Sequence, residues 1–183
     1  VQVLNQDGSA FDEVIDVVAG YRHTVFLKSD GTVWASGNNL FGELGIGTSK
    51  LTDSSDSGKR SFPVQVVNAD GSPFTQVTKI AAGTFYSIFL RSDGTVWGCG
   101  YEVNGNFGTA NSHEDNPVQV LDSNDLPITG IIDVGACSQQ QAYIKNDGTV
   151  ICNGYGANAN AAGERFGTSV VSVAVGKEHI VCL

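Results

Sequence analysis

The sequence has no methionine, only four prolines and few basic residues. Its 10 Lys and Arg residues stand against 19 Asp and Glu residues, which gives a formal net charge of −9. An acidic surface repels phosphate backbones, so we expect no nucleic-acid partner. No apolar run approaches the roughly 20 residues of a transmembrane helix, so we expect no membrane span. Because an initiator methionine and a basic-then-apolar leader are both missing, we interpret the chain as a processed product or a piece of a longer one.

The cysteines and the short motifs give no sign of a metal site or of catalysis. There is no Cys-x-x-Cys pair, which disfavours zinc. The sequence also lacks a nucleophile elbow, a paired His-Glu zinc motif and a phosphate loop. We therefore predict a protein that is not an enzyme, with no catalytic residue, no cofactor and no metal ion. Free and mostly buried thiols, with one disulfide between repeats as the alternative, are expected at Cys99, Cys137, Cys152 and Cys182.

The sequence contains one repeated motif, which occurs four times. The copies occupy residues 14–34, 77–97 and 131–151, and a fourth begins at Val170 and stops before its Asp-Gly pair. A repeat of this length is one supersecondary unit that needs neighbours to bury its faces.

Each copy has the pattern of four antiparallel strands. A β-branched run leads to a glycine such as Gly20, and a second strand such as Thr24–Lys28 follows. An Asp-Gly pair then supplies the φ > 0 positions of a tight hairpin. The third strand carries Val-Trp or Val-Ile, and the fourth carries Pro-Val-Gln-Val at 63–66 and 117–120.

Repeated units of four antiparallel strands predict an all-β fold made of β-propeller blades. The chain holds about three and a half repeats, so we expect a partial propeller. We treat residues 1–183 as a single propeller fragment with repeat units at 1–62, 63–116, 117–169 and, incomplete, 170–183.

Two features of the pattern leave alternatives open. The interval from Cys137 to Gly176 holds no Pro-Val-Gln-Val, so the third unit has lost its fourth strand or takes it from elsewhere, for example from Val1-Gln2-Val3. Polar turns at 5–8 and 68–71 look superficially like calcium loops. They lack the Asp-x-Asp-x-Asp-Gly spacing, so we interpret them as hairpin turns and keep calcium as a minor alternative.

The order of residues in the first copy resembles the repeats of the regulator of chromosome condensation family. The matching residues are Gly20, His23, Leu27, Asp30-Gly31, Val33-Trp34, Gly37-Asn38 and Gly42-Glu43-Leu44-Gly45. The resemblance covers essentially the whole chain, but later copies depart from it, and the His position holds Tyr86, then Gln140, then His179. The Pro-Val-Gln-Val linkage is similar to bacterial secreted members of the family.

This resemblance implies a seven-bladed ring, which needs about twice the present length. We therefore expect the 183 residues to be part of a larger propeller, completed by further blades of the same parent chain or by another copy. An open arc exposes apolar blade faces and strand edges. The isolated chain is accordingly expected to expose an apolar edge and not to behave as a well-folded monomer.

Candidate contact residues lie in the loops, which vary most between copies. The segment 48–62 is the longest, and the loops 101–116 and 155–168 come next. The two equivalent histidines, His23 and His179, are interpreted as hydrogen-bonding groups between blades and not as metal ligands. The candidate partner-contact residues are Lys50, Asp53, Lys59, Arg60, Tyr101 and His113, and the rim aromatics are Tyr21, Phe41 and Phe85.

The expected function is that of a non-enzymatic module that binds protein partners through its loops or its open blade edges. Its acidic, Gly- and Asn-rich composition favours an extracellular or cell-surface setting in a bacterium. Three alternatives remain. The resemblance implies that a secreted enzyme inhibitor is possible, since some propellers of the family bind β-lactamases. It also implies guanine-nucleotide exchange with chromatin docking, which the acidic composition disfavours. The third is a surface subunit that polymerises head to tail.

Overall fold

The computed structural model describes residues 2–55, 57–102, 107–154, 164–165, 170–177 and 179–183. These residues form three four-stranded antiparallel sheets and a final hairpin, and the strands of each sheet follow chain order. The predicted all-β fold of partial-propeller blades is confirmed. None of the described segments forms a helix long and apolar enough to cross a membrane.

The strands have the following bounds. The first sheet contains β1 (Val14–Ala19), β2 (His23–Lys28), β3 (Val33–Asn38) and β4 (Lys59–Gln65). The second sheet contains β5 (Val77–Ala82), β6 (Tyr86–Arg91), β7 (Val96–Tyr101) and β8 (His113–Gln119). The third sheet contains β9 (Ile131–Cys137), β10 (Gln140–Lys145), β11 (Thr149–Gly154) and β12 (Glu164–Arg165), and the last hairpin contains β13 (Val173–Val175) and β14 (Ile180–Cys182).

The hydrophobic cores lie between successive sheets. One core joins the first two sheets and includes Val25, Leu44 and Phe89, all of them fully buried. A second joins the next two sheets around Ile88 and Tyr143, and a third packs β10 and β11 against the final hairpin. Because each core takes residues from two units, no sheet buries its apolar residues alone.

The outer face of β1 has no neighbouring sheet among the described residues. Val17 in β1 is 56% exposed, whereas its equivalents Ile80 in β5 and Val134 in β9 are 5% and 7% exposed. Val14 and Ile15 are exposed on the same strand. This is the apolar edge that the sequence predicts.

The recurring Asp-Gly-Thr-Val-Trp phrase is a hydrogen-bonded unit. Asp93 Oδ1 accepts bonds from the Thr95 backbone N–H at 2.9 Å and from the Thr95 hydroxyl at 2.6 Å, and Thr95 Oγ1 accepts from Trp97 Nε1 at 2.9 Å. Asp30, Thr32 and Trp34 repeat the same bonds. Only the glycine of each Asp-Gly pair adopts positive φ, so the hairpin differs from a turn with two left-handed residues.

A second recurring pair couples a glycine to the ring three residues later. A Cβ atom on Gly83 would lie 2.1 Å from the Tyr86 ring, and one on Gly20 would lie 2.2 Å from the His23 ring. Each ring therefore lies directly on the glycine. In the third unit, Gln140 occupies the position of His23 and Tyr86, and Cys137 occupies the position of Gly20 and Gly83. The non-glycine residue thus stands in the unit that has no ring at this position.

Both open points of the sequence pattern are resolved. The fourth place in the third sheet is taken by β12, which pairs with Thr149 and Val150, so the strand is short and is not supplied by the N-terminus. Val3 accepts a backbone bond from Phe11 in a local hairpin, and Val1 lies outside the described residues. The polar turns are hairpin turns, as predicted.

In the first of these turns, Asp7 Oδ1 accepts bonds from the Ser9 hydroxyl at 2.7 Å and the Ser9 backbone N–H at 2.9 Å. Asp70 and Ser72 repeat this arrangement in the second turn. The four cysteines are free thiols. Cys99 is buried, and burial raises the pKa of its thiol, whereas the other three are only half-buried, which corrects the expectation of mostly buried thiols.

Replacing Gly83 by Ala should destabilise the protein, because the new methyl group would overlap the Tyr86 ring. We expect the free energy of unfolding to fall by about 2 kcal/mol. The matched control is Cys137→Ala at the equivalent ring-free position, where we expect a loss of less than about 1 kcal/mol. Urea unfolding of both variants checks this, and equal losses at the two positions would contradict the ring-on-glycine account.

Candidate protein-binding surface

The loops that join first to second strands and third to fourth strands emerge at one end of the sheets. We call this end the rim and define it by the described segments 20–22, 39–55, 57–58 and 83–85. The antiparallel order of each sheet places them there, since these loops follow the same ends of successive strands. The Asp-Gly hairpins and the polar turns lie at the opposite end.

The first part of the long rim loop is held by side chains of its own motif. Asn39 Oδ1 accepts the Leu44 backbone N–H at 3.1 Å, and Asn39 Nδ2 donates to the Thr48 carbonyl at 2.6 Å. The buried carboxylate of Glu43 accepts bonds from the Phe41 backbone N–H and from Asn38 Nδ2. The loop therefore has a defined shape, and Leu44 is fixed in the core.

The same loop is tied to the second repeat. Thr52 Oγ1 donates to Asp115 Oδ2 at 2.5 Å, and the Gly47 backbone N–H donates to the Asp115 carbonyl at 2.9 Å. These bonds fix the relative positions of rim groups from two units.

Polar side chains at the His position join neighbouring units, as the sequence predicts. His23 Nε2 lies 3.1 Å from Ser87 Oγ, and Ser87 Oγ donates to the Glu43 carbonyl at 2.7 Å. Because the serine proton is used there, the serine oxygen accepts from Nε2–H of the imidazole. At the next junction the Tyr86 hydroxyl donates to the Gln140 carbonyl at 2.7 Å.

Burial sets the charge state of two groups near the rim. Desolvation lowers the pKa of His23 to about 4, so the ring is neutral at pH 7, and Nδ1 has no hydrogen-bond partner among the described residues. Desolvation raises the pKa of Glu102 to about 7, although its carboxylate accepts bonds from the Phe107 and Thr109 backbone N–H groups. The neighbouring Glu114 carboxylate adds to the rise in the Glu102 pKa.

Four aromatic rings from two units meet at the rim. The centroid of Phe41 lies 5.2 Å from that of Phe85 and 4.8 Å from that of Tyr101, and Tyr21 lies 6.0 Å from Phe85. Three of the rings are half-buried, and Tyr21 is 65% exposed. We call these four residues the aromatic cluster. The candidate rim aromatics of the sequence are thus brought together, with Tyr101 among them.

A polar cleft of about 390 Å³ lies beside the aromatic cluster in the first unit. Arg22, Lys59 and Arg60 line it, together with Ser36, Asn38 and Ser61. Its cations come from the first rim loop and from β4. We call it the basic cleft.

The other predicted contact residues, Lys50, Asp53 and His113, belong neither to the aromatic cluster nor to the lining of the basic cleft. Lys50 Nζ donates to the Ser54 carbonyl, and Asp53 Oδ1 accepts from the Ser55 backbone N–H at 2.8 Å, so both support the turns of the long loop. His113 lies on β8, with Nε2 4.0 Å from Asp115 Oδ1. Most of the predicted contact loop 155–168 lies outside the described residues, apart from 164–165, which form β12.

Sequence reasoning missed Arg22, which contributes a cation to the cleft and lies with its guanidinium carbon 5.3 Å from the Tyr21 ring centroid. The only available signal was its place two residues after the repeat glycine. Within the described ranges, no group of three His, Cys, Asp or Glu side chains is placed to hold a metal ion. The groups that the rim offers to a partner are therefore the aromatic cluster and the cations of the basic cleft.

Comparison with known proteins identifies the repeats. Two sequence profiles of the Regulator of chromosome condensation (RCC1) repeat match the chain, one at residues 14–43 and 77–106 and the other at 30–90. Together the matches run without a gap from 14 to 106, just over half of the 183 residues. The chain belongs to the RCC1 repeat family. The likeness to bacterial secreted members stays a prediction.

Relatives of this RCC1-repeat chain are much longer. Human probable E3 ubiquitin-protein ligase HERC4 is 27% identical over 180 residues, which cover 91% of this chain and 16% of that protein. The crystal structure of human WBSCR16 superposes with a TM-score of 0.73 at 18% identity, over 96% of this chain and 46% of that chain. Yeast RCC1 (Prp20), solved bound to Kap60, gives 0.68 at 18% identity, over 92% and 41%. The chain spans less than half the length of these proteins.

Replacing His23 by Gln should remove one pH-dependent part of the stability. The folded pKa of about 4 lies below the usual value of 6.5, so the unfolded chain binds the extra proton between these pH values. The stability of the wild type should therefore fall relative to the variant as the pH drops from about 6.5 to about 4, by about 3 kcal/mol in total. Urea unfolding across this pH range measures the difference.

The raised pKa of Glu102 changes the stability with pH in the opposite direction. Because Glu102 is present in both the wild type and His23→Gln, its contribution cancels when their free energies of unfolding are subtracted. Gln is accommodated at this position in the third unit, where Gln140 stands. His113→Gln, on β8 and away from the His23–Ser87 junction, is the control for the loss of a histidine side chain. A pH-independent difference between wild type and His23→Gln would contradict the neutral, buried state of His23.

Proposed function

We propose that the protein is a non-enzymatic protein-binding module that contacts its partner with the aromatic cluster at the rim. The observation that carries this proposal is the convergence of four rings from two repeat units on one solvent-facing surface. Tyr, Phe and Arg are enriched at the centres of protein interfaces, where they supply large contact areas at a low cost in side-chain entropy.

The aromatic cluster is suited to binding because its residues are held in place, as well as because they are aromatic. Phe41 lies in a loop held by Asn39 and Glu43, and Phe85 lies next to the junction residue Tyr86. A surface that is ordered before binding loses less entropy on association than a mobile loop. Yeast RCC1 (Prp20), which shares the fold, was solved bound to the protein Kap60, and this supports protein binding by a chain with such repeats.

Inhibition of an enzyme is the second candidate function. The aromatic cluster favours it, because the exposed Tyr21 ring, packed against Phe85, can enter the cleft of another protein. Under this proposal the partner is an enzyme, and its activity falls in proportion to complex formation. An assembly or adhesion partner keeps its activity. An extracellular or cell-surface setting remains part of the proposal and rests on the acidic composition.

A photo-cross-linking residue at position 21 tests the proposed function. The matched control is the same residue at position 126, since Tyr21 and Leu126 are 65% and 60% exposed and lie at opposite ends of the sheets. In a native extract, we expect a discrete cross-linked protein at position 21 and none at position 126. With the purified partner, Tyr21→Ala should weaken binding about tenfold or more, and Leu126→Ala should not.

Cross-links confined to position 126, or equal affinity for Tyr21→Ala and the wild type, would contradict binding through the aromatic cluster. Circular dichroism of each variant establishes that the fold is retained. The same purified partner separates the two candidate functions, because an enzyme partner should lose its activity at saturating protein only if the protein is an inhibitor.

A further inference from the structure

We propose that the basic cleft binds the carboxylates of an acidic peptide segment on the partner, next to the residues that meet the aromatic cluster. This inference rests on the proposed function and adds the chemistry of the partner. Arg22, Lys59 and Arg60 bring three of the chain's 10 Lys and Arg residues to one cleft of about 390 Å³. Arg60 Nη1 also donates to the Lys59 carbonyl at 3.0 Å, which ties two of the cationic residues together.

Backbone geometry brings these cations together from distant parts of the sequence. Gly37 adopts a φ of +106°, and a Cβ atom there would lie 2.5 Å from the Arg22 carbonyl, so the first rim loop packs directly on β3. The Arg22 carbonyl accepts the Asn38 backbone N–H at 2.8 Å. On the other side of β3, Gly37 pairs with Arg60 and Asn38 pairs with Lys59.

The second unit has the same backbone arrangement with different charges. Gly100 takes the place of Gly37, with a φ of +104°, and a Cβ atom on it would lie 2.4 Å from the Phe85 carbonyl. Gly100 pairs with Glu114 and Tyr101 pairs with His113. Phe85, His113 and Glu114 therefore stand where the first unit has Arg22, Lys59 and Arg60.

The fold thus accepts an aromatic ring, a histidine and a carboxylate at the positions that carry three cations in the first unit. The repeat geometry by itself does not require cations there. In a chain of net charge −9, clustered cations are a local exception to the overall charge. We therefore attribute the cluster to ligand binding and not to folding.

Carboxylates suit the cleft better than a nucleic acid does. A guanidinium presents planar pairs of N–H donors that match a carboxylate, and the Arg22 guanidinium carbon lies 5.3 Å from the Tyr21 ring centroid, within the range of a cation–π contact. Serine and asparagine side chains add neutral hydrogen-bonding groups to the lining. An extended polyanion would run from the cleft over an acidic surface, whereas a short acidic segment need not. Contact between Arg22 and Tyr21 makes the basic cleft continuous with the aromatic cluster.

Selection from a library of random short peptides tests this inference. Peptides retained by the wild-type protein should be enriched in Asp and Glu and should contain an aromatic or aliphatic residue close to them. A selected peptide should bind the double variant Arg22→Gln, Lys59→Gln about tenfold more weakly or worse, because each lost charge-assisted bond costs a factor of that order. Lys145→Gln, a basic residue near the opposite end, is the matched control and should bind like the wild type.

The possible results separate the inference from the proposed function. Retained peptides that are rich in aromatics but not in acids would overturn the acidic-segment inference and leave the aromatic cluster as a binding surface. Failure to retain any peptide, together with no effect of Tyr21→Ala on the partner, would overturn both. If inorganic phosphate or a short single-stranded oligonucleotide displaced the peptide at equal concentration, the cleft would be a general anion site, which also overturns the inference.

Discussion

Burial of each sheet face against the next sheet is the constraint on which the rest of the structure depends. The cores around Leu44 and Phe107 each draw residues from two units, so the position of one repeat determines that of its neighbour. Polar bonds add to this packing at each junction. His23 is bonded to Ser87 between the first and second units, and Tyr86 is bonded to Gln140 between the second and third. Where no neighbouring sheet is present among the described residues, as beside β1, the apolar side chains stay exposed.

The rim inherits its shape from these junctions. Glu43 illustrates the coupling, since its side chain organises the long loop while its carbonyl accepts the Ser87 hydroxyl of the next unit. The aromatic cluster thus spans a junction that the core and the junction bonds hold in place. The basic cleft lies wholly in the first unit and depends on one local feature, the close approach of the first loop to Gly37. Two neighbouring surfaces with different chemistry arise from one repeat geometry.

The sequence allowed prediction of features whose causes are local and repeated. The four-strand unit, the Asp-Gly hairpins, and the junction role of His23 follow from spacing and residue type. The structure adds a reason why Cys137 can replace a glycine, because the ring that lies on the glycine in the first two units is absent from the third. Arg22 was missed because its role depends on the bulged pairing of β3 with β4, and the second unit gives no hint of it with Phe85. The two-residue β12 was missed because so short a pairing leaves no pattern.

Amide hydrogen exchange of the native protein with and without its purified partner tests the central claim most directly, because it distinguishes the rim from the open blade edge. The account predicts slower exchange on binding in segments 20–22, 39–47 and 83–85, with little change in β1 and in the polar turns. Protection confined to β1, whose exposed side chains include Val14, Ile15 and Val17, would show that the partner covers the open edge and would contradict the rim as the binding surface.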